Sequence, residues 1–347
     1  MAILIDIGHP AHVHLFRNYI VNLQNTKQKF IVVSRDKEIT NQLLDYYKIP
    51  HISISKQAKG LFAMLIELLI RDFKIFKLHN KHKFKTAIGT SVSIGHLTFF
   101  SFGKVKSYNF NEDDDNFVPL YAKISYPFNT KIVIPNGVEY KKWGSKRVLY
   151  NSYHELAYLH PSNFKPDEKI LAKYGLVKNE YIIARFSSLE AHHDVGIKGI
   201  SKKLWLDIKK ELGETSIIES IEGKKTHQID IWDMHHVLKF AKMLITDSQT
   251  MTMEASLLGV PSVRINSFAK QIGVLKDLEF NFELTKSFFP KEKSKILSYI
   301  KTMIHDNNLR ELFQKRLDIL LQSKIDFNEW MIDYFEKENL KFNLCQT

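Results

Sequence analysis

Short apolar runs alternate with longer stretches of helical periodicity along most of the chain. Residues 3–7 read as a first strand, ended by Gly8 and followed by a helical stretch over 12–23. Residues 30–34 repeat the strand and 38–47 the helix, and further strand-like runs stand at 86–89 and 131–134. Apolar strands separated by helices are what a parallel, doubly wound sheet requires, because helices cover both of its faces. The periodicity breaks at Pro161 and Pro166, where Asp167 is placed to cap a helix over 168–174. A second series follows, with strands at 181–184, 216–219, 243–246 and 262–265 and helices over 202–212, 231–242 and 251–258. From Lys291 onward the pattern is helical, broken at Asn307-Asn308.

Two such series predict an α/β protein of two Rossmann-like, doubly wound domains facing a central cleft. The expected division is 1–162, 163–325 and a helical tail over 326–347. A length of 347 residues suits two domains of roughly 100–200 each. With 44% hydrophobic and 25% charged residues the composition is globular, which excludes a disordered chain. The single cysteine, Cys345, builds neither a disulfide framework nor a cysteine metal site. Together with a start that lacks a signal-peptide pattern, this leads us to expect a cytoplasmic protein. The longest apolar stretch, 61–70, is interrupted by Glu67 and falls short of the ~20 residues of a membrane span. A net charge of +12 favours anionic partners. No nucleic-acid-binding motif accompanies it, so nucleic acid is not expected among them.

The segment with the clearest chemistry is Thr246-Asp247-Ser248-Gln249-Thr250, which leads from a strand into a helix carrying Glu254. A helix start offers unpaired N–H groups and a positive dipole end, suited to a diphosphate. Ser248 and Thr250 add hydroxyls there, and Glu254, about one turn in, can accept hydrogen bonds from both hydroxyls of a ribose. Asp247 or Ser248 acting only as a helix cap, with Glu254 solvated, is the plainer alternative.

Three other polar clusters stand at strand ends. Gly8-His9-Pro10-Ala11-His12-Val13-His14 follows the first strand, where a doubly wound domain presents its ligand crevice. Its histidines suit acid–base work or phosphate contact. No carboxylate follows nearby and the spacing is not that of paired metal ligands on a helix, so no metal is expected. Gly89-Thr90-Ser91 with His96 is the matching turn in the first domain and reads as the acceptor side. In the second domain Arg185 can pair with a diphosphate in bidentate fashion, and His192, His193 and Asp194 follow in a polar loop. His227, His235 and His236 stand near where GT-B enzymes hold the nucleobase, and most of them read as structural.

Thr246-Asp247-Ser248 with Glu254, Ala255, Leu258-Gly259 and Pro261 resembles the Thr-Asp-Ser-Gly-Gly…Glu-Glu-Ala…Leu-Gly-Lys-Pro stretch of the non-hydrolysing UDP-N-acetylglucosamine 2-epimerases. It is also similar to the glutamate-bearing segment of the transferase that adds N-acetylglucosamine to lipid I. The resemblance implies phosphate contact for Ser248 and ribose contact for Glu254. Gln249-Thr250 stand where the epimerases have paired glycines, so they contact the sugar or phosphate themselves or narrow the pocket. Ala11-His12-Val13 resembles the Gly-His-Val step of the same transferase, which makes His12, with His9 beside it, the candidate base. Over nearly its whole length the chain resembles an uncharacterised GT-B-like family of archaeal and bacterial proteins that share the Gly-His-Pro-Ala-His-Val-His start.

Two features bear on partners. Between Lys59 and Lys85, leucines and phenylalanines interleave with lysines and Arg71, as in a helix lying on an anionic bilayer; a core helix with a basic end is the alternative. Glu112-Asp113-Asp114-Asp115 reads as a solvated loop. These readings give an inverting, metal-independent glycosyltransferase whose second domain holds a nucleotide sugar, a UDP-sugar by the resemblance, as co-substrate without further cofactor. Its acceptor is a glycan or a lipid-linked sugar, and peripheral contact with the inner face of the membrane is expected. A sugar-nucleotide epimerase or hydrolase with the same donor pocket is the alternative, and a binding protein without turnover a third.

Overall fold

The described residues form two parallel sheets, of seven and five strands. The computed structural model describes residues 2–138, 143–186, 199–221 and 229–344, with side chains to 338. Its contacts divide into one unit of Met1–Tyr158 with Ile325–Thr347 and another of Leu159–Lys324.

The first unit holds β1 (Ala2–Ile7), β2 (Phe30–Asp36), β3 (His51–Lys56), β4 (Phe84–Gly89), β5 (Lys106–Phe110), β6 (Lys131–Pro135) and β7 (Arg147–Tyr150). Around them wind α1 (Pro10–Asn25), α2 (Thr40–Tyr46), α3 (Leu61–His82), α4 (Val92–Phe100), α5 (Pro119–Ser125) and α6 (Leu156–Leu159). The order β3-β2-β1-β4-β5-β6-β7 grows outward from β1 in one direction and, after α3, in the other. The reversal lies between β1 and β4, and a crevice opens at such a point beyond the strands' C-terminal ends. All six residues of β1 are buried, as its central place demands. Its Leu4 packs with Val33, Ile75, Phe84 and Ile94 in one core, and burial contributes about 1.5–3 kcal/mol per such side chain.

The second unit holds α7 (Ile170–Lys173), β8 (Tyr181–Phe186), α8 (Lys202–Leu212), β9 (Ser216–Ile221), α9 (Met234–Lys239) and β10 (Met243–Thr246). It continues with α10 (Gln249–Leu257), β11 (Ser262–Ile265), α11 (Gly273–Lys276), β12 (Thr285–Phe288), α12 (Lys293–Ile304) and α13 (Leu309–Ser323). The order is β12-β11-β10-β8-β9, with the reversal between β8 and β10.

The expected helical tail is the last helix, α14 (Phe327–Leu344), and from Ile325 onward the chain belongs to the first unit. Aromatic packing explains it. Phe327 stacks on Tyr150 with centroids 4.0 Å apart, Phe335 meets Tyr108 at 5.0 Å, and the Tyr108 hydroxyl donates to Glu338 Oε2 at 2.8 Å. No helix among the described residues is long and apolar enough to cross a membrane.

Candidate functional site

In the second unit the strand ends assemble a polar row. Residues paired in register on parallel strands emerge on one face of the sheet. Ser287, Arg264, Thr246, Arg185 and Ser220 are so paired across β12, β11, β10, β8 and β9. Arg185 Nη1 donates to Ser220 Oγ at 2.5 Å, and Thr246 Oγ1 donates to the Arg185 carbonyl at 2.6 Å. Arg264 is 2% exposed, yet its Nε and Nη1 are buried without a hydrogen-bond partner. Burial lowers its pKa to about 10, against the opposing charges of Asp247 and Glu279. A guanidinium held this way is costly until an anion reaches it.

Beside this row β10 turns into α10. Ser248 is the N-cap in extended conformation, its Oγ accepting from Met251 N at 3.4 Å, and Ser248 N donates to Thr246 Oγ1 at 3.0 Å. Because Ser248 Oγ acts there as acceptor, its own proton remains available to a ligand. Ser248, Gln249 and Thr250 are half-buried, so the helix start is reachable. Asp247 is buried, and its carbonyl accepts from Asn266 Nδ2 at 3.0 Å. The Gly199 backbone lies so close that a Cβ there would come 2.2 Å from Asp247 Oδ2. Glu254 is buried, not solvated, and its Oε1 lies 2.9 Å from His235 Nε2. His236 accepts from Asp167 N at 2.9 Å through Nδ1. His192, His193, Asp194 and His227 lie outside the described residues.

In the first unit, residues from the ends of β1 and β4 gather. His9 is the N-cap of α1, with Nδ1 accepting from Ala11 N at 3.2 Å, and Pro10 occupies the first turn, where no N–H is needed. His12 Nδ1 lies 2.7 Å from Thr90 Oγ1, in the turn after β4. Tyr121 fixes that turn by donating to the Thr90 carbonyl at 2.7 Å. Ser91 Oγ donates to Asp6 Oδ2 at 2.5 Å, while Arg71 binds Asp6 Oδ1. Gly89 is required beside Asp6, since a Cβ there would stand 2.6 Å from the Asp6 carbonyl oxygen. Burial, and then Lys37, bring His9 down to about 4. Burial, then His9, His154 and Lys37, hold His12 well below the usual 6.5. Both rings are therefore neutral near pH 7, and their centroids are 5.6 Å apart.

Not every expected residue joins them. His14 is buried against the rings of Tyr158 and Tyr47, at 5.2 and 5.9 Å, which is core packing. His96 has both nitrogens engaged, by Asp72 Oδ2 at 2.7 Å and the Ile124 carbonyl at 3.1 Å. It ties α4 to α3 and α5. The acidic run is not solvated either, for Glu112 and Asp114 are buried. His154 N donates to Glu112 Oε1 at 2.5 Å, and burial raises Glu112 to about 8 while lowering His154 to about 3. Among the described residues no group of three His, Cys, Asp or Glu side chains is placed to hold a metal ion.

The family described as "Protein of unknown function (DUF354)" matches residues 1–328. The chain belongs to this DUF354 family. No curated protein matches it. Among solved structures, the S. aureus MnaA–UDP co-structure aligns with a TM-score of 0.69 at 14% identity, covering 98% of this chain and 97% of the other. The UDP-GlcNAc 2-epimerase from Methanocaldococcus jannaschii gives 0.63 at 13% identity, over 88% and 94%. CalG4, the calicheamicin glycosyltransferase, gives 0.55 at 10% identity, over 96% and 98%. At such identities the likeness establishes the fold: this DUF354 chain is a GT-B-like protein of two Rossmann-like domains with a helical C-terminus.

Among the members of the two clusters that sequence reasoning missed are Asp6, Arg264, Glu112 and His154. Asp6 and Arg264 carried a signal, each being a lone charge in an otherwise apolar strand of a buried sheet. Glu112 and His154 carried none, because their burial depends on how β5 and β7 end beside α14.

Proposed function

We propose that this protein is an enzyme that binds a nucleoside diphosphate sugar in its second unit and transfers the sugar to a glycan or lipid-linked acceptor. The observation that carries the reading is Arg264, a buried guanidinium with two unpartnered nitrogens at the strand row beside the α10 N-terminus. A diphosphate supplies what this arrangement lacks. Its oxygens would take the N–H groups at the start of α10, the Ser248 and Thr250 hydroxyls and the two arginines of the row. Gln249 would reach the phosphate or sugar, with Asp247 holding Arg264 in place. Glu254, oriented by His235, would accept from the ribose hydroxyls. UDP is the nucleotide we propose, from the resemblance of this segment to the UDP-N-acetylglucosamine 2-epimerases and from the UDP of the MnaA–UDP co-structure.

In the first unit His12 would act as general base toward the acceptor hydroxyl, with His9 beside it and Ser91 oriented by Asp6 to bind substrate. Base action requires the proton on Nδ1, donated to Thr90 Oγ1, so that Nε2 is the acceptor. Its lowered pKa keeps it neutral and ready. Leaving-diphosphate charge would fall on the helix start and the arginines, with no metal needed in that role.

A sugar-nucleotide epimerase is the second reading, favoured by the epimerase named among the neighbours and by the buried Glu112 beside the half-buried His154, a protonated acid and a neutral base in the same unit. Thermal melting with UDP, uridine and other nucleoside diphosphates tests the donor site. UDP stabilises the wild type, uridine much less, and no shift with any nucleoside diphosphate sinks the proposal. Incubation with UDP-sugars but no acceptor separates the readings, since an isomerised sugar nucleotide replaces transfer by epimerisation.

A further inference from the structure

Helix α3 is built inside out. Its buried positions are Glu67, Arg71 and Ile75. Arg35 pairs with Glu67 through two 2.6 Å hydrogen bonds, and Arg71 with Asp6. Hydrocarbon faces outward instead: Leu61 and Phe62 are each 77% exposed and Phe73 71%. At four-residue steps the outer stripe runs Leu61, Leu65, Leu69, Phe73 and then becomes basic at Lys77 and Lys81. The end of α4 extends the apolar surface. Phe99 and Phe102 are 60% and 93% exposed, and Phe76 meets Phe100 edge-on with centroids 6.5 Å apart, joining the two helices. A surface left to water does not usually present so many large apolar side chains together.

Where the two helices end, a cavity of 320 Å³ opens between Phe76 and Phe100, walled by Lys83, Lys85 and Lys104 with His79. Burial, and then the charges of Lys83 and Lys85, hold His79 below its usual value. From Phe73 to Asn111 the chain has no acidic residue, and seven lysines.

We infer that this face docks on an anionic phospholipid bilayer, with the outer stripe of α3 and Phe99 to Phe102 entering the headgroup–acyl boundary and a lipid phosphate seated in the lysine-walled cavity. Apolar insertion and attraction to anionic lipid add in such contacts. The basic end of the stripe then lies at headgroup level, where ammonium groups bind phosphate as point charges. A second copy of the chain fits this face worse, because in a two-fold contact the face meets itself and its segment from Phe73 to Asn111 offers no carboxylate to the lysines. Docking of this kind depends on no assignment of the reaction.

Flotation with vesicles of phosphatidylcholine alone, and of phosphatidylcholine mixed with phosphatidylglycerol, tests it. Wild type floats with the mixed vesicles and not with the neutral ones. Leu69→Ser with Phe73→Ser abolishes flotation, and Lys83→Gln with Lys104→Gln weakens it about fivefold per lysine. All four positions are exposed, so melting temperatures stay at the wild-type value. Absence of flotation on mixed vesicles overturns the inference, as does equal flotation on both kinds. A dimer in sedimentation velocity that the Leu69→Ser, Phe73→Ser variant disperses would give the face to a second copy. Stabilisation by inorganic phosphate without vesicle binding would give the cavity to a free anion.

Discussion

The imidazole Nε2 of His235 lies 2.9 Å from Oε1 of Glu254, and both side chains are buried. A Glu254→Ala variant therefore leaves a buried imidazole without its partner as well as removing the proposed ribose ligand. Loss of a buried partner costs about 2 kcal/mol, a fall of about 4–8 °C in melting for a unit of this size. Glu254→Gln keeps an acceptor for His235 and loses less stability, but offers the ribose one acceptor oxygen in place of two. It should bind UDP about tenfold more weakly than wild type. Melting curves of both variants with and without UDP separate the effects, and an unchanged UDP shift in Glu254→Gln removes the ribose role.

Gly199 offers a second handle on the same turn. Alanine there would place Cβ 2.2 Å from Asp247 Oδ2, so the carboxylate must move away. Overpacking of this kind costs about 1–3 kcal/mol. Since Asp247 is the largest charge opposing the desolvation of Arg264, the displacement also disturbs the proposed diphosphate site. Urea unfolding and UDP melting of Gly199→Ala should both deteriorate, and a variant less stable but unchanged in UDP binding would separate Asp247 from the site.

The strands most readable from the pattern are those with continuous apolar runs, such as β1, β8 and β10, which are buried on both faces, and even the edge strand β9 shows through Ile217-Ile218. β3, β5, β7 and β12 were not readable, because His51–Lys56 is an edge strand with exposed Ile52 and Ser53, and Lys106–Phe110 mixes charge with aromatic residues. At the site, turn residues were legible through position: Ser248, His9 and Thr90 all follow strands at a topological reversal. His14 and His96 misled because residue type alone cannot tell a ligand from a histidine packed on Tyr158 or bound to Asp72. Arg264 stood out in sequence as a charge in a buried strand, but its place in a polar row needed the register across five strands.

His12 predicts the acid side of the activity profile. Its folded pKa lies well below 6.5, so the unprotonated base persists as the pH falls through 6.5, and turnover declines only at lower pH. His12→Asn should abolish turnover while leaving the UDP melting shift unchanged. An acid limb at or above 6.5 in wild type would assign that limb to another group, and wild-type turnover in His12→Asn would remove His12 as base.

Glu67 predicts loss of stability toward acid. Burial alone would raise its pKa, but hydrogen bonds from Arg35, Ala58 N and Ser55, and the Arg35 charge, bring it below 4.5. A depressed folded pKa gives a contribution present in full above 4.5 and lost as the pH falls through the lower folded value. The stability difference between wild type and Glu67→Gln, measured by urea unfolding, should shrink below pH 4.5. A difference that stays constant with pH would assign it to packing.

Glu112 predicts the opposite slope in the same unit. Burial raises it from 4.5 to about 8, with Asp113 adding to the rise and the His154 N–H opposing it. Between those values the unfolded chain has released the proton and the folded one has not. The folded state then binds more protons, so stability falls as pH rises across this window. The contribution is full below 4.5 and gone above about 8. Glu112→Gln carries no such proton, so its urea midpoint should change less than the wild type's between pH 5 and 8, a window in which Glu67 is ionised in both folded and unfolded chains. Parallel profiles for the two proteins would mean that Glu112 is ionised in the folded state, with His154 then its charged partner, and would withdraw the acid from the epimerase reading.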